Sequence, residues 1–302
     1  MTNKSNTNTW IIGCGNIGQR VNQLLKQQNI KLKATSHSDS SAKLLKEMGI
    51  EVFSANLDEP DSLNKLPIDE HADIFYFAPP AAKGETDERM SHFLASLNPE
   101  APPRRIIYIS TTGVYGNHDG EWITENTPTE PQHDRSKRRL HAEEQIKQFC
   151  LKHGSEYMIL RTSGIYDLKK LPLERINSGL KVLKKETAPS SNRIHAADLA
   201  NICVTAMQST HHNDIFNVSD GNPSSISDYF IQTARLFNLK TPEEITREEA
   251  KAVLSPEMLS YLSESKKIDS SYLQKKLGIT LAFPTLEEGL IDCKKEYDKQ
   301  RT

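Results

Sequence analysis

Three glycines at the spacing Gly-x-Gly-x-x-Gly are the first residues in this chain whose arrangement could do chemistry. They follow an apolar run at residues 10–12 and precede an amphipathic helical segment. The first glycine permits a tight turn, the second lets the backbone approach a diphosphate, and the third lets the helix pack on the strand. The helix N-terminus adds free N–H groups and a positive dipole end. The pattern predicts a dinucleotide site whose contacts are Gly13, Cys14, Gly15, Asn16, Ile17 and Gly18.

A run of hydroxyl side chains, Ser110, Thr111 and Thr112, follows the apolar segment at residues 106–109. A hydroxyl at the carboxyl end of a parallel strand can polarise a substrate carbonyl or hold a cofactor. The same hydroxyls could instead satisfy only their own backbone. This run is therefore a candidate for both catalysis and cofactor binding.

The loop at residues 36–38 bears on the choice between NAD and NADP. A free adenosine ribose usually meets an Asp or Glu at this strand end. Here Thr35 and Ser36 occupy that place, so no carboxylate repels a 2′-phosphate. Ser36, His37 and Ser38 can donate hydrogen bonds to that phosphate, and the loop therefore favours NADP over NAD. Ser38 or Ser40 can also cap the next helix, and the two roles are compatible.

Two further loops follow apolar runs and are candidate cofactor contacts. Leu57 and Asp58 lie in a polar turn that can hydrogen-bond an adenine edge or only cap a helix. Ala78, Pro79 and Pro80 have a backbone stiffened by proline. These three residues form either a rigid wall against the cofactor's ribose or nicotinamide, or a plain strand stop. Both alternatives stay open from the sequence.

The elements that must position these loops alternate along residues 10–165. Strands are predicted at residues 10–12, 32–35, 51–53, 74–77, 106–109 and 157–160, and helices at 17–28, 40–48, 86–97 and 135–152. Repeated β-α units predict a doubly wound parallel sheet, an α/β fold of the Rossmann type. We predict a dinucleotide-binding domain of residues 1–167, to which residues 196–219 return. Residues 168–195 and 220–302 are expected to form a smaller substrate lobe.

Composition and charge exclude several other classes of protein. The chain has 302 residues and a formal net charge of −2, so no bulk basic field points to nucleic acid. Its four cysteines form no Cys-x-x-Cys pair, and we expect no metal site and a reducing, cytoplasmic environment. No apolar run is long enough to cross a membrane, and the polar first nine residues do not read as a secretory signal.

The motifs together resemble those of the extended short-chain dehydrogenase/reductases, which include the NAD-dependent epimerase/dehydratases. The shared motifs lie at residues 13–18, 110–116, 125–128, 161–166 and 217–220. The glycine turn, residues 78–80 and residues 283–290 are most similar to an atypical, YeeZ-like branch. The resemblance implies an NAD(P)-dependent oxidoreductase or epimerase with a small polar or sugar-like substrate. It also implies a monomer or a homodimer.

The resemblance also implies a catalytic hydroxyl and a Tyr-x-x-x-Lys pair, and the chain departs from the second feature. Thr111 matches the hydroxyl position, whereas Arg135 and Arg139 stand at the Tyr and Lys positions. Arginine stays protonated at any usable pH, so it can hold anions but cannot act as a base. Because the two arginines share a helix face, we expect them to contact cofactor or substrate. Lys137 and Arg138 are expected to face solvent.

Other residues could supply the missing proton group. A shifted register would place His133 at the Tyr position, and Tyr115, Tyr166 or His195 could act from other loops. The resemblance also places Gly164 beside the nicotinamide. The altered pair leaves a second function open, a non-catalytic NADP(H)-binding regulatory or sensor protein.

Overall fold

The computed structural model describes residues 8–301 of the chain. Its strands are β1 (Asn8–Ile12), β2 (Leu32–Ser36), β3 (Glu51–Ser54), β4 (Ala72–Tyr76), β5 (Arg105–Thr111), β6 (Trp122–Ile123), β7 (Glu156–Thr162), β8 (Gly164–Tyr166), β9 (Lys181–Leu183), β10 (Ser190–Ser191), β11 (Arg193–His195), β12 (Asp214–Val218), β13 (Ser224–Ser225), β14 (Glu243–Ile245) and β15 (Lys267–Ile268). Its α-helices are α1 (Asn16–Gln27), α2 (Asp39–Glu47), α3 (Pro60–Leu63), α4 (Glu88–Ser96), α5 (Asp134–His153), α6 (Leu173–Asn177), α7 (Ala196–Gln208), α8 (Ile226–Leu236), α9 (Arg247–Val253), α10 (Pro256–Leu262), α11 (Ser271–Leu277) and α12 (Leu286–Lys299). Short 3₁₀ turns occupy Thr112–Tyr115 and Leu168–Lys170.

Seven parallel strands form the central sheet, in the order β12-β7-β5-β4-β1-β2-β3. From β1 the chain winds outward in one direction through β2 and β3. It then winds in the other direction through β4, β5, β7 and β12. This order confirms the predicted doubly wound α/β fold, and each predicted strand end lies within two residues of the observed one. In such sheets, ligands bind beyond the carboxyl ends of the strands, where the winding direction reverses.

Helices cover both faces of the sheet. Successive residues of a strand point to opposite faces, so Trp10 packs on one side and Ile11 on the other. The Trp10 side is covered by α4 and α5, and the Ile11 side by α1 and α7. Burial on both faces is why these strands are nearly continuous apolar runs.

A smaller lobe follows β8 and lies against the carboxyl edge of the sheet. Tyr166, Tyr229, Phe230 and Leu290 belong to its apolar cluster, to which α8 and α12 contribute. The chain also returns from this lobe to the sheet. There α7 packs on α1, β12 pairs with β7, and α11 packs on β12 with Leu273 in the sheet core. The parallel pair of β8 and β11 joins the two parts beside that edge. The division into domains at the stated residues stays a prediction.

Some features of other protein classes are missing from residues 8–301. In this range, no group of three or more His, Cys, Asp or Glu side chains is arranged to hold a metal ion. The same range contains no helix that is both long and apolar enough to span a bilayer. The cysteines Cys14, Cys150, Cys203 and Cys293 are free and buried.

Candidate functional site

A cleft of about 770 Å³ lies at the carboxyl edge of the sheet, where the smaller lobe meets it. Its sheet side consists of the loops after β4 and β5 together with α5, and its lobe side of β8, β11, α8 and α10. A second cavity, of about 790 Å³, lies between Trp122 and Pro284, and its described lining contains none of the predicted site residues. The first cleft is therefore the candidate site.

The glycine turn lies at the end of β1, directly beside the loop that enters the cleft. Gly13 has a φ of +89°, and a Cβ there would lie 2.4 Å from the Ala78 backbone nitrogen. A Cβ on Gly18 would lie 3.0 Å from the Cys14 sulfur, so this glycine permits close helix packing. A Cβ on Gly15 would meet no atom within 4 Å. Gly13 and Gly18 are thus required by the turn itself, whereas Gly15 faces open space.

The first turn of α1 is tied to the chain that follows β8. Asn16 Nδ2 donates to the Asp167 carboxylate at 2.5 Å, and Arg20 pairs with the same carboxylate at 3.0 Å. Burial of Asp167 would raise its pKa, but the Asn16 hydrogen bond and the Arg20 charge hold that pKa below its ordinary value. Ile17 is buried in the sheet core. The helix start is therefore fixed before any ligand binds.

The loop after β2 has the capping role that its sequence allows. Ser38 Oγ accepts a hydrogen bond from the Ser41 backbone N–H at 3.4 Å, so Ser38 caps α2. Ser36 is buried, and its hydroxyl donates to the Ser38 carbonyl at 3.1 Å. His37 is exposed. The cap is confirmed for Ser38, and the contact with a 2′-phosphate stays a prediction.

The loops after β3 and β4 are joined through Arg89 on α4. The Asp58 carboxylate accepts two hydrogen bonds from Arg89, at 2.6 and 2.7 Å. These bonds hold the pKa of Asp58 below its ordinary value. Arg89 also donates to the Pro79 carbonyl at 3.1 Å, and the Leu57 carbonyl lies 2.8 Å from His92 Nδ1. Through Arg89, Asp58 thus stabilises the loop whose Pro79 and Pro80 line the cleft.

Thr111 lies at the end of β5, half-buried in the cleft wall. Its Oγ1 accepts a hydrogen bond from the Gly113 N–H at 3.1 Å and so caps the 3₁₀ turn. This bond uses a lone pair of the hydroxyl and leaves its hydrogen for a ligand. A Cβ on Gly113 would lie 2.7 Å from Ser136 Oγ, so α5 packs closely on this turn.

Arg135 and Arg139 both line the cleft, and each is already held by the protein. Arg135 Nη1 donates to Ser260 Oγ at 3.0 Å, and its guanidinium lies 4.4 Å from the Tyr261 ring centre. Arg139 Nη1 donates to the Ile109 carbonyl at 3.1 Å. Arg135 therefore reaches the smaller lobe and Arg139 the sheet, while both charges stay beside the cleft.

The neighbouring positions of α5 differ from each other. Lys137 is half-exposed and pairs with Glu85 at 2.6 Å, near the solvent as predicted. Arg138 is buried, lines the cleft and donates to the Gly84 carbonyl. The prediction of a solvated Arg138 is wrong, because the loop before α4 folds over this part of α5.

The alternative proton groups have structural roles. The Tyr115 hydroxyl donates to Asn217 in the interior at 2.8 Å, and His195 Nδ1 accepts from the Ala197 N–H as a helix cap. Tyr166 lines the cleft, but its phenol oxygen lies under α12, 2.0 Å from where a Cβ on Gly289 would be. These contacts direct all three polar groups into the protein.

Arg193 is a cleft residue that sequence reasoning did not single out as a site. Its side chain is about nine-tenths buried, and its guanidinium lies 3.9 Å from the Tyr229 ring centre. Its Nε and Nη2 atoms have no hydrogen-bond partner among the described residues. Gly164 leaves room for it, because a Cβ at Gly164 would lie 3.4 Å from Arg193 Nη1. Buried N–H groups without partners cost about 1–3 kcal/mol each, a cost that an anionic ligand would remove.

The cleft as a whole is strongly cationic. Its lining includes Arg135, Arg138, Arg139, Arg175, Arg193 and Lys266. Glu264 is the single carboxylate among the described lining side chains. Glu264 and Lys266 lie between α10 and β15, a segment in which the sequence offered no motif. This charge balance suits a ligand with several negative charges.

A buried ion pair sets the position of α5 against the sheet. The Glu143 carboxylate accepts from Arg161 Nη2 at 2.8 Å and from the Ser110 hydroxyl at 2.5 Å. Glu143 is fully buried, and Arg161 also stacks on the Tyr115 ring. Because Ser110 directly precedes Thr111, the pair fixes α5 to the end of β5 that carries Thr111.

The sequence profile of the NAD(P)H-binding family matches residues 13–210, and the chain belongs to this family. No curated protein matches the chain by sequence. The fold is similar to that of a conserved protein of unknown function from Silicibacter pomeroyi, with 23% identity and a TM-score of 0.82 over 97% of this chain and 99% of that one.

Two epimerases with bound ligands share the fold at lower identity. UDP-glucose 4-epimerase from Thermotoga maritima, solved with UDP-glucose, has 16% identity and a TM-score of 0.76 over 98% of this chain and 100% of that one. UDP-glucuronic acid 4-epimerase from Bacillus cereus, solved with UDP-glucuronic acid and NAD, has 15% identity and a TM-score of 0.74 over 98% and 100%. The chain is thus an NAD(P)H-binding protein with an epimerase/dehydratase-type fold.

Proposed function

We propose that this protein is an NAD(P)-dependent oxidoreductase or epimerase that acts on a hydroxyl or carbonyl of a small polar or sugar-like substrate. The observation that carries the proposal is the cleft itself. It begins beside the glycine turn, passes Thr111 at the end of β5 and ends on a cationic lobe. A dinucleotide and a second, anionic molecule can therefore meet at one strand end.

The residues present fit the cofactor. The open space at Gly15 accommodates a diphosphate beside the N-terminus of α1. Ser36, His37 and Ser38 would hold the adenosine end, and the missing acid favours NADP there. When bound, the cofactor supplies or accepts a hydride. The residues 78–80 and Gly164 would border its nicotinamide end.

The substrate would be oriented by residues on both sides of the cleft. Thr111 would donate its free hydroxyl hydrogen to the substrate oxygen, and Arg135 and Arg139 would hold negative charge of the cofactor or the substrate. The unpartnered donors of Arg193 favour a substrate with a phosphate or carboxylate group. UDP-glucose and UDP-glucuronic acid, which the similar epimerases bind, are the first substrates to test.

We propose membership in the YeeZ-like branch, on the basis of residues 78–80 and 283–290. The free, buried cysteines agree with a cytoplasmic location. We also propose that the protein is a monomer or a homodimer. Each chain would be divided into the two domains that the sequence predicts.

The test combines cofactor titration with a substrate panel. NADPH and NADH are titrated calorimetrically. Turnover of a set of carbonyl compounds is followed by nicotinamide absorbance, and turnover of both UDP-sugars by chromatography of the product sugar, because epimerisation regenerates the cofactor. Thr111→Ala should abolish turnover and keep cofactor affinity, whereas Thr127→Ala, outside the cleft, should change neither. Binding without turnover across the panel would favour the regulatory function instead. Absence of any binding would refute the proposal.

A further inference from the structure

The cleft has no proton-transferring group at the positions where the family resemblance implies one. Interconversion of a hydroxyl and a carbonyl moves a proton as well as a hydride. Arg135 and Arg139 cannot release a proton at usable pH. Tyr115, Tyr166 and His195 direct their polar atoms into the protein. If the proposed function is correct, another side chain of the cleft must exchange the proton.

One lysine on the lobe side of the cleft has the required position. Lys266 lines the cleft and is buried. Its ammonium donates to Glu264 Oε2 at 2.6 Å and to the Gly116 carbonyl at 2.5 Å. An ammonium group has three donors, and these two bonds leave the third for a ligand. Gly116 ends the segment that begins at Thr111, so Lys266 and Thr111 border the same turn.

A path for protons leads outward from this lysine. The second oxygen of Glu264, Oε1, lies 3.4 Å from His133 Nε2, an ion-pair contact in which Oε1 has no hydrogen-bond partner among the described residues. His133 Nε2 also lies 3.1 Å from Ser260 Oγ. Exposure of the side chains rises along the path, from 8% for Lys266 to 12% for Glu264 and 26% for His133. His133 is the most exposed of the three side chains, and an imidazole can both accept and donate a proton.

We propose that Lys266, Glu264 and His133 form a proton relay between the cleft and solvent, with Lys266 as the group that exchanges a proton with the substrate oxygen. The inference rests on the proposed function. It assigns the chemistry of the replaced Tyr-x-x-x-Lys pair to a segment near the C-terminus.

The step balances with the nicotinamide as the only redox partner. In reduction, a bound reduced nicotinamide would supply the hydride to the carbonyl carbon, and the substrate oxygen would take its proton from the Lys266 ammonium. The electron pair of the broken N–H bond stays on nitrogen as a neutral amine. A proton from solvent then passes through His133 and Glu264 to restore the ammonium. Oxidation of a hydroxyl runs the same steps in reverse.

The surroundings of Lys266 make proton release easier than from a solvated lysine. Burial lowers its pKa, the Glu264 carboxylate opposes part of that change, and the Arg135 charge adds to it. Glu264 faces the ammonium from the same segment and Arg135 faces it from α5, with His133 beyond Glu264. Removal of the Glu264 charge should therefore lower the pKa of Lys266 further.

A first experiment measures this titration without cofactor or substrate. The full chain is acetylated competitively with acetic anhydride across a pH range, and peptide mass spectrometry gives the titration midpoint of each lysine. Lys137 is the matched control, since it pairs with Glu85 at the same 2.6 Å but near the surface. The midpoint of Lys266 should lie below that of Lys137, and Glu264→Gln should lower it further. A Lys266 midpoint equal to or above that of Lys137, or one that Glu264→Gln leaves unchanged, would overturn the relay.

A second experiment separates proton transfer from packing. Lys266→Arg keeps the charge and the hydrogen bonds but cannot release a proton, so turnover should fall about 100-fold or more while NADPH affinity stays within about twofold. Lys137→Arg should leave both unchanged. His133→Gln should slow turnover, and added imidazole should restore it. Turnover by Lys266→Arg within about threefold of the unsubstituted protein would refute the relay.

The two proposals fail in different ways. The proposed function fails if the unsubstituted protein binds no NADPH or turns over no panel substrate. The relay fails if that protein is active and Lys266→Arg is active too, or if the acetylation midpoint is ordinary. If Lys266→Arg unfolds in urea more readily than the unsubstituted protein, Glu264→Gln replaces it in the assay, with the loss of turnover again expected.

Discussion

Alanine substitutions at Gly13 and Gly15 should affect folding stability and cofactor binding separately. Gly15 has backbone angles of −83° and −151°, an extended conformation, and a Cβ there would meet no atom within 4 Å. The Gly15→Ala substitution should therefore cost less than about 1 kcal/mol of folding stability, mainly through the poorer helix cap. The methyl group would, however, occupy the space that the diphosphate needs. We expect NADPH affinity to fall about tenfold or more, equivalent to at least about 1.4 kcal/mol.

The Gly13→Ala substitution should instead lower mainly the stability of the fold. Its φ of +89° is unfavourable for alanine by about 1–2 kcal/mol. The added Cβ would lie 2.4 and 2.6 Å from backbone atoms of Ala78, and such overpacking costs about 1–3 kcal/mol more. We expect the free energy of unfolding to fall by about 2–5 kcal/mol.

Urea unfolding and calorimetric titration with NADPH measure both quantities for the two variants. Gly15→Ala should keep the urea unfolding midpoint and bind NADPH more weakly. Gly13→Ala should unfold at a lower urea concentration. If Gly15→Ala bound NADPH as tightly as the unsubstituted protein, the diphosphate would lie elsewhere. The assignment of the glycine turn as the cofactor site would then be refuted.

Further substitutions test a buried ion pair, a cleft arginine and a buried carboxylate. Glu143→Gln should lower the free energy of unfolding, measured by urea titration, by about 3–5 kcal/mol, because Arg161 loses its buried partner. Combining Glu143→Leu with Arg161→Met should recover most of that loss. Arg135→Ala should weaken NADPH binding about tenfold, and an unchanged dissociation constant would limit Arg135 to its contact with the lobe. Burial raises the pKa of Asp220 from 3.8 to about 6, so wild-type stability should fall as pH rises between these values, by up to about 3 kcal/mol. Asp220→Asn should lack this fall, and parallel pH profiles of unfolding would contradict the assignment.

Most of the fold could be predicted from local sequence patterns. The apolar runs were recognised as strands because a buried parallel strand hides both faces and needs apolar residues throughout. Gly13 and Gly18 were interpretable because a tight turn and a close helix approach each exclude a side chain. Ser38 or Ser40 was predicted as a helix cap for a similarly local reason, since a cap bonds only to the next turn, and Ser38 is the one that caps α2.

Arg138 and Lys266 illustrate where the sequence alone was insufficient. Charged residues in a polar helix are usually solvated, and Lys137 follows that rule. Arg138 is buried because a loop more than forty residues earlier in the chain folds over it and accepts its hydrogen bond. Lys266 lies in a segment without a motif, and only packing against Gly116 brings it to the cleft.

The sequence by itself determined the doubly wound sheet and the glycine turn, because each depends on residues that are neighbours along the chain. Only the tertiary structure decided which charges line the cleft. Arg193 comes from one segment of the smaller lobe, and Glu264 and Lys266 come from another. Their burial and partners depend on how distant elements pack, and no local pattern records that packing.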